Sequence, residues 1–375
     1  MRREYRYPSL PPKESGNALI LLEKDCEVCK KTAGLFRCSA CQCVYYCSRE
    51  HQATDRNNHK TACTAIEKFR VRYEHHVEVL SREMEHGYSM PGQRGSLFQV
   101  GAGHFWGILE TRPYMTARFR LVNASLDYFP CYRHVVQAAL DHLLDMLRLC
   151  RDDNLGARNI VPGLYLRLGR EQDAFDFVKW YATTGNDPNY DWGNMKLPFL
   201  NVKDANATEP WPTDRLLNLI HLSTVFLIKM RLLHDFQSAQ NAIRAFQGVV
   251  PLDIIDLIQA HLFTTNVQIR PKASMNRSEA ICYGIDTLKS QLKDLYKAVD
   301  KRNPHFWPAM LDSTERATGN KPSGYSVIPD EPKISIGHNL YAWLETPRAF
   351  DTLADIDEAI HGRRFPEPIS PREDN

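Results

Sequence analysis

The 375-residue chain is 43% hydrophobic and 25% charged, the balance of a globular protein with enough apolar residues for a substantial core. Its 47 Lys and Arg against 45 Asp and Glu leave a formal charge of +2, interspersed along the chain, which excludes the basic field of a sequence-independent nucleic-acid binder. Two domains are expected, a small one first and a larger one after it.

Residues 1–25 read as a disordered N-terminal segment. Met1 to Pro12 is rich in Arg and Pro and lacks the apolar run of a secretion signal, so the cysteines are expected to stay reduced, in an intracellular protein of nucleus or cytoplasm. Seven of the ten cysteines then fall between Cys26 and Cys63. Two Cys-x2-Cys knuckles, Cys26 with Cys29 and Cys38 with Cys41, are each short enough to aim two thiolates at one tetrahedral ion. Two pairs at i, i+4 follow, Cys47 with His51 and His59 with Cys63. On a helix that spacing puts both side chains on one face, within reach of one metal. Four bidentate half-sites make two closed zinc sites, and spacing alone permits either sequential or crossed pairing. Cys43 is left over.

These eight ligands, the Tyr46-Cys47-Ser48 step, Gln52 after the sixth ligand and His59-Lys60 before the last resemble the MYND-type zinc finger, over residues 26–63. The resemblance implies a cross-braced pair of structural Zn2+ ions, with Cys26, Cys29, Cys47 and His51 on one and Cys38, Cys41, His59 and Cys63 on the other. It also implies a surface that takes proline-containing peptides of the pattern Pro-x-Leu-x-Pro, with Tyr46, Gln52 and Arg56 as candidate peptide-binding residues and Tyr46 equally well explained as packing. Two positions depart from the family. His51 stands at a ligand usually filled by cysteine, which zinc tolerates. Arg56 stands where the family usually has a tryptophan of the peptide surface. The chain carries its own Pro-x-Leu-x-Pro sequence at Pro8, Leu10 and Pro12, a candidate self-ligand.

After the finger, helical periodicity predominates. Ile66, Phe69, Tyr73, Val77 and Leu80 predict a linking helix over 64–86, and the Gly, Pro and Ser content of Gly87 to Gly103 reads as a boundary before an irregular all-helical domain over 104–361. Val135 to Leu147 carry a two-row apolar stripe on a helix that ends near Cys150. Asp152-Asp153-Asn154 reads as a capping turn, followed by a helix from Ile160 to Leu168 and another through Ala174 to Tyr181. The Asp153 to Gly156 step, with Leu164 to Arg170 and Ala174, resembles a tetratricopeptide-like hairpin, in which Gly169-Arg170 joins two helices. The aromatic stretch from Gly185 to Pro212 has no element of its own and is expected to lie across the helical domain.

Pro212-Thr213-Asp214 reads as the cap of an apolar helix from Arg215 to Leu233, whose Asn218, His221 and Lys229 argue against a membrane span. Helices are also expected near Ser238 to Phe246, Leu252 to Phe263, Ser278 to Val299 and Asn339 to His361, before a disordered tail over 362–375. The whole combination resembles fungal MYND proteins in which a motif like Tyr341-Ala342-Trp343-Leu344-Glu345-Thr346-Pro347 recurs near the end. The fold class expected is therefore mostly α, a double-zinc finger followed by helical hairpins.

No catalytic residues are predicted. Zinc with four protein ligands keeps no open position for chemistry, and no nucleophile elbow, P-loop or dinucleotide fingerprint is present. The alternatives are a SET/MYND-like lysine methyltransferase and a RING-like ubiquitin ligase. Only 25 residues precede Cys26, too few for the first SET portion, and the order of His and Cys does not suit a RING. The expected function is a protein-protein interaction adaptor that meets protein partners, with no direct nucleic-acid or membrane contact.

Overall fold

A computed structural model describes residues 21–85, 97–212, 218–246, 251, 254, 277–317 and 337–363. Among them the only strands are β1 (Phe36–Arg37) and β2 (Tyr45–Tyr46), an antiparallel pair with Phe36 opposite Tyr46 and Arg37 opposite Tyr45. The other elements are helical. The chain divides into two compact units between Lys203 and Asp204. That division falls inside 104–361, and the finger shares the first unit with the helices that follow it.

The reason lies in the helix after the finger. Helix α1 (Arg49–Thr54) is capped by Ser48, whose Oγ accepts the His51 backbone N–H at 3.2 Å. Helix α2 (Arg56–Glu85) starts eight residues earlier than expected and carries two of the metal ligands in its first turns. Its apolar face, with Ile66 buried and Phe69 and Tyr73 packed beside it, is continuous with the buried finger cysteines and with Leu121, Ala124 and Val135. Leu121 and Ala124 lie on α4 (Arg112–Tyr128) and Val135 on α5 (Arg133–Leu149). A finger of about forty residues cannot enclose a core alone, and α2 lets it share this one.

Helix α3 (Leu97–Val100) belongs to the same unit: Leu97 is buried, and the Phe98 ring lies 5.3 Å from Tyr114 and 5.5 Å from Phe105. Of the expected boundary over Gly87 to Gly103, residues 87–96 lie outside the described residues, and Gly101 to Gly103 pack within this unit. Gly103 sits at φ +86°, donates to the Arg148 carbonyl at 3.1 Å and lies against the Met195 sulfur, where a Cβ has no room. Helix α4 has no counterpart among the sequence expectations. Its buried positions include Arg118, which breaks the apolar stripe. Arg118 donates to Asp145, to the Tyr114 hydroxyl at 3.0 Å and to His142 Nδ1 at 3.0 Å.

The expected hairpin is present. Helix α6 (Val161–Arg167) and α7 (Glu171–Ala182) join through Gly169 at φ +70° and pack on each other, and α5 packs on α6. Asp153 does the capping: its carboxylate accepts the backbone N–H groups of Ala157 and Arg158, both at 2.8 Å.

In the second unit, α8 runs unbroken from Leu219 to Phe246. It merges the two helices expected there, since no Gly or Pro separates Leu233 from Ser238. Thr213 and Asp214 lie outside the described residues, and Asn218 supplies the cap, with Oδ1 accepting the Ile220 N–H at 2.8 Å. Of the helix expected near Leu252 to Phe263 only Ile254 is described, and of the tail expected over 362–375 residues 364–375 lie outside the described residues. Helix α9 (Arg277–Arg302) packs along α8, and α10 (Phe306–Ala317) brings Trp307 against Phe226 and Tyr296 with ring centroids 4.9 and 5.4 Å away. The last expected helix is two, α11 (Leu340–Leu344) and α12 (Ala349–His361). Pro347 disfavours the helical conformation at Thr346, and Arg348 turns the chain at φ +57°. No described helix is long and apolar enough to cross a membrane.

The aromatic stretch after α7 is held by buried cations, one in each unit. Arg151 donates to the carbonyls of Asn194, Leu197 and Met195 at 3.1, 3.2 and 3.4 Å, and its guanidinium lies 4.8 Å from the Phe199 ring centre. Trp180, fully buried on α7, meets the rings of Tyr190, Trp192 and Phe199 at 5.5, 5.9 and 5.1 Å. The stretch up to Lys203 thus packs against α7 and Arg151. In the second unit, Lys229, wholly enclosed, donates to the carbonyls of Ala207 and Glu209 at 2.6 and 2.9 Å and to Gln291 Oε1 at 2.6 Å. An irregular backbone has carbonyls that no helix or strand ladder pairs, and these cations serve as their donors.

Two outcomes are expected. Burial, and then the Arg118 charge, push His142 down to about 4 from an ordinary value of 6.5. The unfolded chain therefore binds the proton more readily, so this residue's contribution to stability is complete above about pH 6.5 and drains away as pH falls towards 4. A proton NMR titration should place the His142 midpoint near 4; a midpoint near 6.5 would contradict the burial. Separately, Arg151→Met should make residues 185–203 readily cleaved in limited proteolysis while far-UV circular dichroism is retained, because three carbonyls lose the charged donor that holds them.

Candidate metal centres

The eight expected ligands gather into two groups, Cys26, Cys29, Cys47 and His51, and Cys38, Cys41, His59 and Cys63, with the donor atoms of each within 4.8 Å of one another. The pairing is crossed: each knuckle joins a helical pair from further along the chain. In the first group, Cys29 Sγ lies 3.5 Å from Cys47 Sγ, and His51 Nδ1 lies 3.2 Å from Cys47 Sγ and 3.4 Å from Cys26 Sγ. In the second, Cys38 Sγ lies 3.7 Å from Cys63 Sγ, and Cys41 Sγ lies 3.5 Å from His59 Nε2. Bond lengths of 2.3 Å to sulfur and 2.0–2.1 Å to nitrogen give tetrahedron edges of about 3.8 Å between sulfurs and about 3.5 Å from sulfur to nitrogen. The separations are the edges of two zinc tetrahedra, and all are far longer than a disulfide of about 2.05 Å.

Electrostatics favour the same species. Burial raises the Cys26 thiol, but the backbone N–H groups of Cys29, Cys47 and Val28 outweigh it and hold the thiol down at about 6. Cys47 beside it, and Cys63 in the second group, are shifted the other way. Cys29 and the neighbouring sulfurs push Cys47 up to about 11, and burial with the Cys41 and Cys38 sulfurs pushes Cys63 up to about 12. One divalent ion per group lets all the thiolates form together. When bound, the zinc ions supply folding free energy, with every position filled by protein.

Cys43 is no ligand. It is buried, its thiol donates to the Cys41 carbonyl at 3.3 Å, and its backbone N–H points at Cys41 Sγ at 3.4 Å, a hydrogen bond that stabilises a thiolate there. Tyr46 is fully buried, so it packs and does not line a surface. Its hydroxyl donates to Asp55 Oδ2 at 2.7 Å, tying β2 to the corner between α1, which carries His51, and α2, which carries His59. Gln52 is half-buried on α1 and Arg56 is exposed at the start of α2. Pro8, Leu10 and Pro12 lie outside the described residues.

Sequence reasoning missed the residues that seat the finger. The turn between α4 and α5 meets it: the Phe129 ring lies 6.0 Å from His59, the Tyr132 hydroxyl donates to Glu27 at 2.9 Å, and His134 Nε2 reaches the Cys43 carbonyl at 2.7 Å. Leu22 and Tyr132 form a bridge, through Leu22 N to the Cys131 carbonyl at 2.7 Å and Arg133 N to the Leu22 carbonyl at 3.0 Å. Local spacing carries no trace of contacts a hundred residues apart.

The MYND finger family matches this chain over residues 26–63. Those residues form a MYND finger. Human (Homo sapiens) Egl nine homolog 1 is similar to the chain at 45% identity over 42 residues, which is 11% of this chain and 10% of that protein. The chain thus spans about a tenth of that relative's length, a stretch little longer than the finger. No solved structure matches the chain.

Elemental analysis of the full chain should find two zinc ions, with Cys26→Ser and His59→Ala each losing one. His59→Ala should also lower the thermal midpoint of the first unit further than Cys26→Ser does, since His59 sits on the helix that enters the shared core. Unchanged stoichiometry in either variant would refute the ligand assignment.

Proposed function

We propose that this chain is a non-enzymatic interaction adaptor, in which the MYND finger holds a proline-containing peptide and the helical region offers a second partner its own surface. The observation that carries the reading is the closure of both metal groups: each presents four protein donors, which suits a scaffold and leaves the zinc no Lewis-acid role. The turn between α4 and α5 occupies one side of the finger through Tyr132 and His134, so the peptide face is assigned to the side carrying Gln52 and Arg56. Arg56 replaces an aromatic stacking surface by a guanidinium on an apolar stem, which fits a Pro-x-Leu-x-Pro peptide that also carries an acidic group. The chain's own Pro8, Leu10 and Pro12, followed by Glu14, make such a ligand. The hairpin of α6 and α7, read as tetratricopeptide-like, is the proposed seat of the second partner.

The finger shares its core with α4 and α5, so the test uses the full chain. With Pro8, Leu10 and Pro12 replaced by alanine, a peptide of residues 5–15 added in trans should bind saturably in isothermal titration. Arg56→Glu should weaken that binding by about 1 kcal/mol, roughly fivefold in Kd. No heat and no change in finger resonances at millimolar peptide would refute peptide recognition.

A further inference from the structure

The two metal centres have the same donor set and differ in exposure. Cys38, Cys41, His59 and Cys63 are all buried, whereas in the other group only Cys26 is. Cys29 is exposed and Cys47 half-exposed, and their sulfurs lie 3.5 Å apart. The sulfurs of Cys38 and Cys63 are almost as close, at 3.7 Å, but no reagent in solvent reaches them. The two accessible thiolates also come from separate segments, the first knuckle and the step between β2 and α1, so a bond between them closes a loop across the finger.

We propose that Cys29 and Cys47 form an oxidation site, at which a peroxide converts the accessible zinc thiolates to a disulfide and expels one zinc ion. The Cys29 sulfur attacks one peroxide oxygen, the O–O bond breaks, and Cys29 becomes a sulfenic acid while hydroxide leaves and takes a proton. The Cys47 thiolate then attacks the Cys29 sulfur, displacing a second hydroxide, which also takes a proton. In sum, two thiolates, one hydrogen peroxide and two protons give one disulfide and two waters, the two electrons passing from the sulfurs to the peroxide oxygens. The sulfurs close from 3.5 Å to about 2.05 Å. Cys26 and His51 alone cannot hold the ion in a closed tetrahedral site. The loss is local, because the buried group takes two ligands from α2, whose packing on α4 involves none of the oxidised residues. The site follows from burial and distance, whatever ligand the finger holds.

The test uses the zinc-loaded full chain with Cys282→Ser, since Cys282 is exposed and offers a competing thiol. Graded hydrogen peroxide is followed by native mass spectrometry for zinc content, disulfide mapping of proteolytic peptides and far-UV circular dichroism. The expected result is loss of one of the two zinc ions, a Cys29 to Cys47 disulfide in the same fraction, retained helix content, and recovery on adding dithiothreitol and zinc. Simultaneous loss of both ions, a disulfide at any other pair, or retention of both ions at doses that oxidise Cys282 in the parent chain would each overturn it.

Discussion

The first unit depends on the buried metal group that holds the start of α2. His59 and Cys63 are ligands on the same helix that, one turn further on, buries Ile66 and then packs Phe69 and Tyr73 against the helices beyond. In proteins a helix gains most of its stability from packing one face, and α2 has a mean hydropathy too low to be driven inward by composition alone. Fixing its first turns in a tetrahedral site sets both its position and its rotation. Metal coordination and hydrophobic burial therefore act on one rigid element. The finger is the end of the first unit's core, and its zinc takes the place of apolar residues that about forty residues cannot supply.

The metal ligands were fully legible in the sequence because their geometry is local. A Cys-x2-Cys knuckle and an i, i+4 pair each encode a half-site within five residues, and the family resemblance supplied the crossed pairing that spacing left open. Helix positions in α5, α6 and α7 were legible for a similar reason, since an apolar stripe repeats within the segment that bears it. What was not legible is non-local. Helix α4 hides its period behind Arg118, an inward-facing cation whose partners Tyr114, His142 and Asp145 sit on two helices. Likewise Gly87 to Gly103 reads as a linker by composition, yet Gly103 is needed for a close approach inside the unit. Glycine signals backbone freedom, and a buried crossing uses that freedom as readily as a hinge does.

The aromatic stretch after α7 is a further case of residue type concealing role. In sequence, Arg151 carries no signal of its own and Lys229 reads only as an argument against a membrane span. In the structure each is buried and each donates to carbonyls of irregular backbone, three for Arg151 and two for Lys229. Arginine's planar fork suits carbonyls arrayed around a bend, and lysine's tetrahedral head suits a convergent set completed by the Gln291 amide. A cation held this way orders a loop without a strand or helix of its own.

The closed metal groups also constrain where function can lie. Each zinc is spent on folding, the side of the finger nearest the α4 to α5 turn is occupied by Phe129, Tyr132 and His134, and Tyr46 is enclosed. Exposed on the finger are residues of α1, the helix fastened by the more exposed of the two metal groups through Cys47 and His51, whereas the start of α2 is held by the buried group. The more exposed helix α1 is thus held by the ligands nearest solvent, whereas the core is held by the ligands furthest from it. Because α1 and α2 are separate helices joined at Asp55, a change at the exposed group can alter the outer face while the inner group keeps α2 in place. The division of two chemically equivalent sites into a buried anchor and an accessible clasp follows from one fact, that only the second group takes its helical ligands from α2.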